Sequence, residues 1–406
     1  MQFRHLTFLG TSSGVPTLHR NVSSAVLTYT TGEQWMFDCG EGTQQQLLHC
    51  PGVSISKLTR LFITHLHGDH SYGLPGLLCS LSMFWTPDDG SAGPARAGKI
   101  KSPSPAAAAG ETEEVEGPPT AFFPFRKGQE YLEIVGPAPL ASFIRASLAF
   151  SDAYFPFRYR VSELLPPPEL GPLPGHELCR DGLLHPCEAP PLRIPPENGV
   201  YRVPMGSLPV TVLAAPLTHR IFSLGYALTE ESKPGTLDVA AAARLGIPKG
   251  PLLAQLKSGK SVTVVGTDGP VTVHPAQVVA PDVPGGTLLY LGDTCDSERA
   301  VAIGTGARVV VHECTFDDAQ AALAIPRGHS TARMAGAFAA RLQAERLVLT
   351  HFSARYFPRA KDPTHVLRLE GEAAEGAAAA RVAGSGALEI QAVDDFSVVD
   401  LTRKRA

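Results

Sequence analysis

Four metal-capable side chains fall within six residues in His65-Leu66-His67-Gly68-Asp69-His70, directly after the strand-like run Leu61-Phe62-Ile63-Thr64. Such a turn folds only around something that neutralises and orients its side chains, and Gly68 admits the unusual backbone angles this needs. One ion does not easily take all four groups, because neighbouring positions point in different directions. The natural solution is two cations a few ångströms apart, with His65 and His67 on one and Asp69 and His70 on the other.

Two ions need more ligands. His219 follows the run PVTVLAAPLT, Asp293 ends LLYLGD, and His351 ends RLVLTH. Each alone reads as a buried histidine or a capping aspartate. Each nevertheless stands at the C-terminal end of an apolar strand, so the three together read as metal ligands. Imidazole with carboxylate suits zinc, and manganese or another divalent ion remains open.

The elements that must position these groups alternate short strands with helices. VSSAVLTYT, EQWMFD and RLFIT read as strands, and GTQQQLLH and PAPLASFIRASLAF as helices. In the second half LLYLGD, ARVVVHE and RLVLTHF read as strands, and TARMAGAFAARLQA as a helix capped by Ser330 or Thr331. RLFITH echoes RLVLTH, which suggests two similar β/α halves facing each other. Residues 86–120 have the composition of a low-complexity insertion. Residues 164–209 form a Pro-rich loop whose Leu, Ile and Tyr side chains can pack on a surface.

The 406 residues are 44% apolar, enough for a substantial core. No run is long and apolar enough to span a bilayer, and the chain opens on a strand-like FRHLTFL, so a soluble, cytoplasmic protein is expected, nuclear being possible in a eukaryote. Seven cysteines without a C-x-x-C pair suggest neither a disulfide framework nor a thiolate zinc site. A formal net charge of −4 gives no global attraction to nucleic acid, so any such partner must meet local positive charge.

H-x-H-x-D-H after a strand is the hallmark of the metallo-β-lactamase superfamily, which this chain resembles. Finer motifs are collinear with those of the ribonuclease Z family: GTSSGVP with Arg20-Asn21-Val22-Ser23-Ser24, FDCGEGTQ, IVGP, HRIFSLGY, LGDT, HECTF, GHST and THFS. The likeness spans residues 3 to about 359 apart from the two insertions. It implies an α/β (α+β) fold, a four-layer αββα sandwich of two β-sheets flanked by helices, as a single domain over 1–406. It also implies that His219 completes the His65/His67 site, His351 the Asp69/His70 site, and that Asp293 bridges two zinc ions.

The implied activity is removal of the 3′ trailer from precursor tRNA, leaving a tRNA 3′-hydroxyl and a trailer 5′-phosphate, by a homodimer. Asp69 is the candidate to orient or deprotonate the attacking water, and His329, held by Glu313, is the candidate acid. His312 stands beside Glu313 in its motif and is grouped with the catalytic candidates. Arg20 and Asn21, in the N-terminal loop, are expected to touch substrate. This loop carries Thr17-Leu18-His19 where the family commonly has Lys or Arg, and Cys314 replaces the family's Ala.

Between 233 and 260 five basic residues, Lys233, Arg244, Lys249, Lys257 and Lys260, face the single acid Asp238. With its Gly and Pro content this stretch resembles the flexible tRNA-binding arm of the family, here placed at 229–282. A hydrolase of small phosphodiesters or sulfate esters would not need such an arm. A non-catalytic RNA-binding protein of the same fold would not need all seven ligands.

Overall fold

The computed structural model describes residues 2–85, 122–171, 184–266, 269–384 and 386–402. The low-complexity stretch at 86–120 lies outside the described residues. The chain forms two compact units: one of Met1–Leu208, Val212–Leu228 and Thr287–Ala406, the other of Pro209–Thr211 with Thr229–Gly286.

The first sheet of the larger unit contains β1 (Phe3–Gly10), β2 (Ser24–Tyr29), β3 (Gln34–Phe37), β4 (Leu58–Phe62), β5 (Tyr131–Pro137), β6 (Arg158–Leu164) and β7 (Leu192–Ile194) in chain order. The last strand of the chain, Val398–Asp400, pairs antiparallel with β1 at the edge. From β3 to β7 the neighbours are parallel. Strands covered on both faces are buried along their length, and all five residues of β4 are buried, Arg60 among them being paired with Glu33 at 2.9 Å.

The second sheet runs through β8 (Tyr201–Val203), β9 (Val210–Leu217) and β10 (Ser223–Glu230), then Thr287–Leu291, Val309–Glu313, Arg346–Thr350 and Glu389–Ala392. With the hairpin β11 (Val262–Gly266) and β12 (Gly269–Val273) counted in chain order, these last four are β13 to β16, and the edge strand of the first sheet is β17. The strands β13 to β16 are parallel.

The two sheets face each other through aromatic rings. Phe37 stacks on Tyr290 with centroids 4.5 Å apart, Phe62 meets Tyr226 edge-on at 5.4 Å, and the Tyr226 hydroxyl donates to the Ile63 carbonyl at 2.7 Å. Outside the first sheet, Leu74, Leu77, Leu78 and Leu81 of the helix Leu74–Phe84 and Ile144 and Leu148 of the helix Leu140–Phe150 are buried in one apolar cluster. Outside the second, the helices Ala332–Arg341 and Pro363–Ala380 pack so closely that a Cβ at Gly336 would strike the Ala373 carbonyl. The layers are those of the expected αββα sandwich.

The strands and helices read from the sequence coincide with observed elements. Thr331, not Ser330, caps the helix Ala332–Arg341, its hydroxyl accepting from the Met334 amide at 3.3 Å. In the Pro-rich stretch, residues 172–183 lie outside the described residues, and the described part supplies β7, β8 and a fully buried Tyr201.

The smaller unit is more than a loop. Ala242, Ile247, Leu256, Val262, Val273 and Val278 form its own buried cluster, drawn from the helices Val239–Arg244 and Pro251–Lys257, the hairpin and the segments that follow them. Asp238 serves inside it as an N-cap, accepting from the Ala241 amide at 2.8 Å. Lys233, Arg244, Lys249, Lys257 and Lys260 are all exposed.

Candidate metal centre

Strand ends assemble the site. β4 leads into His65 and His67, the short helix Gly68–Ser71 carries Asp69 and His70, β9 leads to His219, β13 to Asp293, and β15 to His351. The donor atoms of His65, His67, His219 and Asp293 lie within 4.8 Å of one another, as do those of Asp69, His70, Asp293 and His351. Asp293 belongs to both groups. The seven residues named from the sequence are therefore brought together in the arrangement expected of them.

Fixed partners orient the rings. His219 Nδ1–H donates to the Gly328 carbonyl at 2.6 Å, which leaves Nε2 as a lone-pair donor 3.1 Å from His67 Nδ1. His65 Nε2 meets the same His67 nitrogen at 3.1 Å. Thr64 Oγ1 donates to Asp38 at 2.9 Å and lies 3.1 Å from His65 Nδ1. Likewise Thr315 Oγ1 donates to Glu313 at 2.6 Å and lies 3.0 Å from His351 Nδ1. Each half thus uses a carboxylate and a threonine to hold one imidazole, so that its other nitrogen faces the centre.

The electrostatics match a metal-ligand set. Burial, reinforced by neighbouring imidazoles, pushes His65 well below the ordinary histidine range and His67 down to about 4, and burial lowers His219 too. Against the effect of burial, His351, His70 and His65 hold the Asp293 carboxyl well below the usual range, and His70 and His351 do the same for Asp69. Neutral imidazoles and ionised carboxylates are the forms that bind a cation. His70 is the exception: despite burial, Asp293, Asp69 and Asp38 raise it well above the ordinary range, so without metal it keeps a proton at neutral pH.

Beside this cluster His329 Nδ1 lies 3.0 Å from Glu313 Oε1 and 3.7 Å from Asp293 Oδ2. Burial works against a charged His329, but the Glu313 carboxylate outweighs it and lifts the imidazole to about 9. Because Thr331 caps the following helix, His329 has no capping role there. A cavity of about 390 Å³, lined among others by Gly14, His67, Asp69, Arg220, Asp293 and His329, opens over the centre.

Three of the candidates named from the sequence have partners within the fold. His312 is on the opposite face of β14 from Glu313, as neighbouring strand residues must be, with its ring against Phe338, Nδ1–H donating to the Glu313 carbonyl at 2.8 Å and Nε2 3.0 Å from the Ser297 hydroxyl. It does not reach the cavity. Arg20 is buried, its guanidinium 2.6 Å from Asp394 and 2.7 Å from the Thr11 hydroxyl. Asn21 donates its side-chain amide to the Glu41 carbonyl at 2.9 Å and its backbone amide to Asp395 at 2.6 Å. Both residues are engaged in holding the loop that carries Gly14, whose N–H donates to Asp69 Oδ2 at 2.7 Å.

Sequence reading also passed over Asp38. Its carboxylate, in a backbone conformation of positive φ, accepts from the Thr64 amide at 2.7 Å and lies 2.8 Å from His70 Nδ1. In the sequence it is the acid of the motif FDCGEGTQ at the end of β3, one strand away from the His-rich turn.

Residues 4–88 match a family model described as anti-Pycsar protein Apyc1. Human zinc phosphodiesterase ELAC protein 1 is 34% identical over 412 residues, covering 98% of this chain and 99% of the relative. Ribonuclease Z of Synechocystis sp. is 36% identical over 354 residues, covering 87% of this chain and 84% of the relative. Among solved structures, human tRNase Z, short form, superposes with a TM-score of 0.59 at 26% identity, covering 98% of this chain and all of that one. The metallo-β-lactamase fold protein YhfI of Bacillus subtilis, 14% identical with a TM-score of 0.51, shares the fold. At this identity over nearly the full length of both chains, the protein belongs to the ribonuclease Z family and has the metallo-β-lactamase fold.

Proposed function

We propose that the chain is a zinc-dependent endoribonuclease that removes the 3′ trailer from precursor tRNA, leaving a tRNA 3′-hydroxyl and a trailer 5′-phosphate. One observation carries this reading: a single cavity joins a seven-residue metal-ligand cluster to a histidine kept protonated by a buried carboxylate. His65, His67 and His219 would hold one zinc ion, Asp69, His70 and His351 a second, and Asp293 both. When bound, the metal supplies acidified water at neutral pH and an electrostatic hold on the phosphoryl oxygens.

The chain's own groups do the rest. Asp69, fixed by the Gly14 amide and held far below the usual carboxylate range, orients the attacking water rather than storing its proton. A 3′-oxygen is too basic to leave readily as an alkoxide. His329, ion-paired through Nδ1 to Glu313, gives that oxygen the proton from its other nitrogen. Asp293 and Glu313 thus act at opposite ends of the reaction, one for the ions and one for the acid.

The smaller unit supplies affinity for the tRNA body. Its five exposed cations have no acidic partner among the described residues, so they are available to phosphates, which fix orientation without reading sequence. Replacing Lys249, Lys257 and Lys260 by Glu tests this: precursor tRNA affinity falls and its salt dependence flattens, while a small chromogenic diester is hydrolysed as before. An unchanged salt slope contradicts the assignment.

A further inference from the structure

We propose that Arg220 holds the scissile phosphate, its guanidinium binding a non-bridging oxygen of the diester; the inference rests on the phosphodiesterase reading above. Arg220 follows the metal-ligand candidate His219 directly. His219 is tied to the Gly328 carbonyl, and its ring lies 5.1 Å from that of His329. Gly328 is in the left-handed region, φ +76°, and a Cβ there would sit 2.8 Å from His219 Nδ1 and 3.2 Å from Arg220 Cγ. The arginine stem therefore lies against the turn that delivers His329, and Arg220 lines the same cavity as His67, Asp69, Asp293 and His329.

Among the described residues lining the cavity, Arg220 is the one arginine or lysine. It is exposed, and no described carboxylate or other acceptor pairs with it, although Glu41 lines the same cavity. The interior arginines behave otherwise: Arg20 is 2.6 Å from Asp394 and Arg145 is 2.7 Å from Glu188. A guanidinium left without a partner beside a reacting diester has the planar, two-pronged geometry that suits phosphate oxygens. Placed there before reaction, it stabilises charge that builds on those oxygens as the bond to the 3′-oxygen breaks.

Arg220→Ala and Arg220→Lys in the metal-loaded protein test the assignment, with bis(p-nitrophenyl) phosphate as a substrate carrying one phosphate. For Arg220→Ala we expect kcat/KM on this diester to fall roughly 10²- to 10³-fold at unchanged metal content. Calorimetry with inorganic phosphate should show affinity about tenfold weaker, guanidinium ion should restore part of the activity, and Arg220→Lys should fall between. Diester turnover and phosphate affinity within about twofold of the wild type would overturn the proposal, as would a loss confined to precursor tRNA or one accompanied by loss of metal. A wild-type protein that cleaves the diester but not precursor tRNA would overturn the substrate reading and leave the Arg220 result standing.

Discussion

Asp38 Oδ2 lies 2.8 Å from His70 Nδ1, so a carboxylate at the end of β3 sets the ring plane of a ligand at the end of β4. Asp38 also accepts from the Thr64 amide and hydroxyl, and through Thr64 it reaches His65. One buried carboxylate therefore orients a ligand in each metal group. Asp38→Asn should weaken metal affinity roughly 10- to 100-fold, the usual effect of removing such a partner. Chelator competition on the purified variant measures this. Wild-type affinity would show that the rings keep their orientation without Asp38.

Metal uptake should release a proton from His70. Its imidazole is raised well above the ordinary range when the metal is absent, whereas His65, His67 and His219 are lowered and already neutral. The sign follows: as pH falls, protons compete with metal for His70, so affinity drops by about tenfold per pH unit for each proton displaced. Titration calorimetry in two buffers of different ionisation enthalpy counts the protons. No net release at neutral pH would contradict the charged His70.

Glu313→Gln should move the alkaline limb of the pH–rate profile to lower pH. Burial disfavours a charged His329 and the Glu313 carboxylate lifts it to about 9; without that carboxylate only the more distant Asp293 opposes burial, and the acid form is lost earlier as pH rises. His329→Ala should lower kcat on precursor tRNA by roughly 10²- to 10⁴-fold, and far less on a diester with a nitrophenolate leaving group. An unmoved limb in Glu313→Gln, or equal losses of His329→Ala on both substrates, would remove His329 as the acid.

Arg20→Leu should destabilise the fold. Arg20 is buried, and its partner Asp394 keeps 27% side-chain exposure. The loss should be on the order of 2 kcal/mol, below that of a fully buried pair because water reaches Asp394. Thermal unfolding reads this out. An unchanged melting temperature with weakened tRNA binding would return Arg20 to the role of a substrate contact.

The site was legible in the sequence to the extent that strand ends mark it. The six-residue turn after β4 and the isolated His219, Asp293 and His351 each follow an apolar run, and the ends of these strands bring them together. The residues that reading misplaced are those whose role depends on which way a side chain turns. His312 and Glu313 are adjacent in a motif, yet strand alternation sends one against Phe338 and the other to His329. Arg20 reads as a free cation until the fold sets Asp394, 374 residues later, beside it. Asp38 escaped because its partner His70 is on the next strand's turn, a relationship of register rather than of spacing.

The most direct measurement is the mapping of product ends after the purified protein meets a 3′-extended precursor tRNA, with and without a chelator. The account predicts cleavage next to the tRNA body, a tRNA ending in a 3′-hydroxyl, a trailer beginning with a 5′-phosphate, and no cleavage once metal is removed. An intact precursor in the presence of zinc, or cleavage that leaves a 3′-phosphate or a cyclic phosphate or survives the chelator, would contradict it.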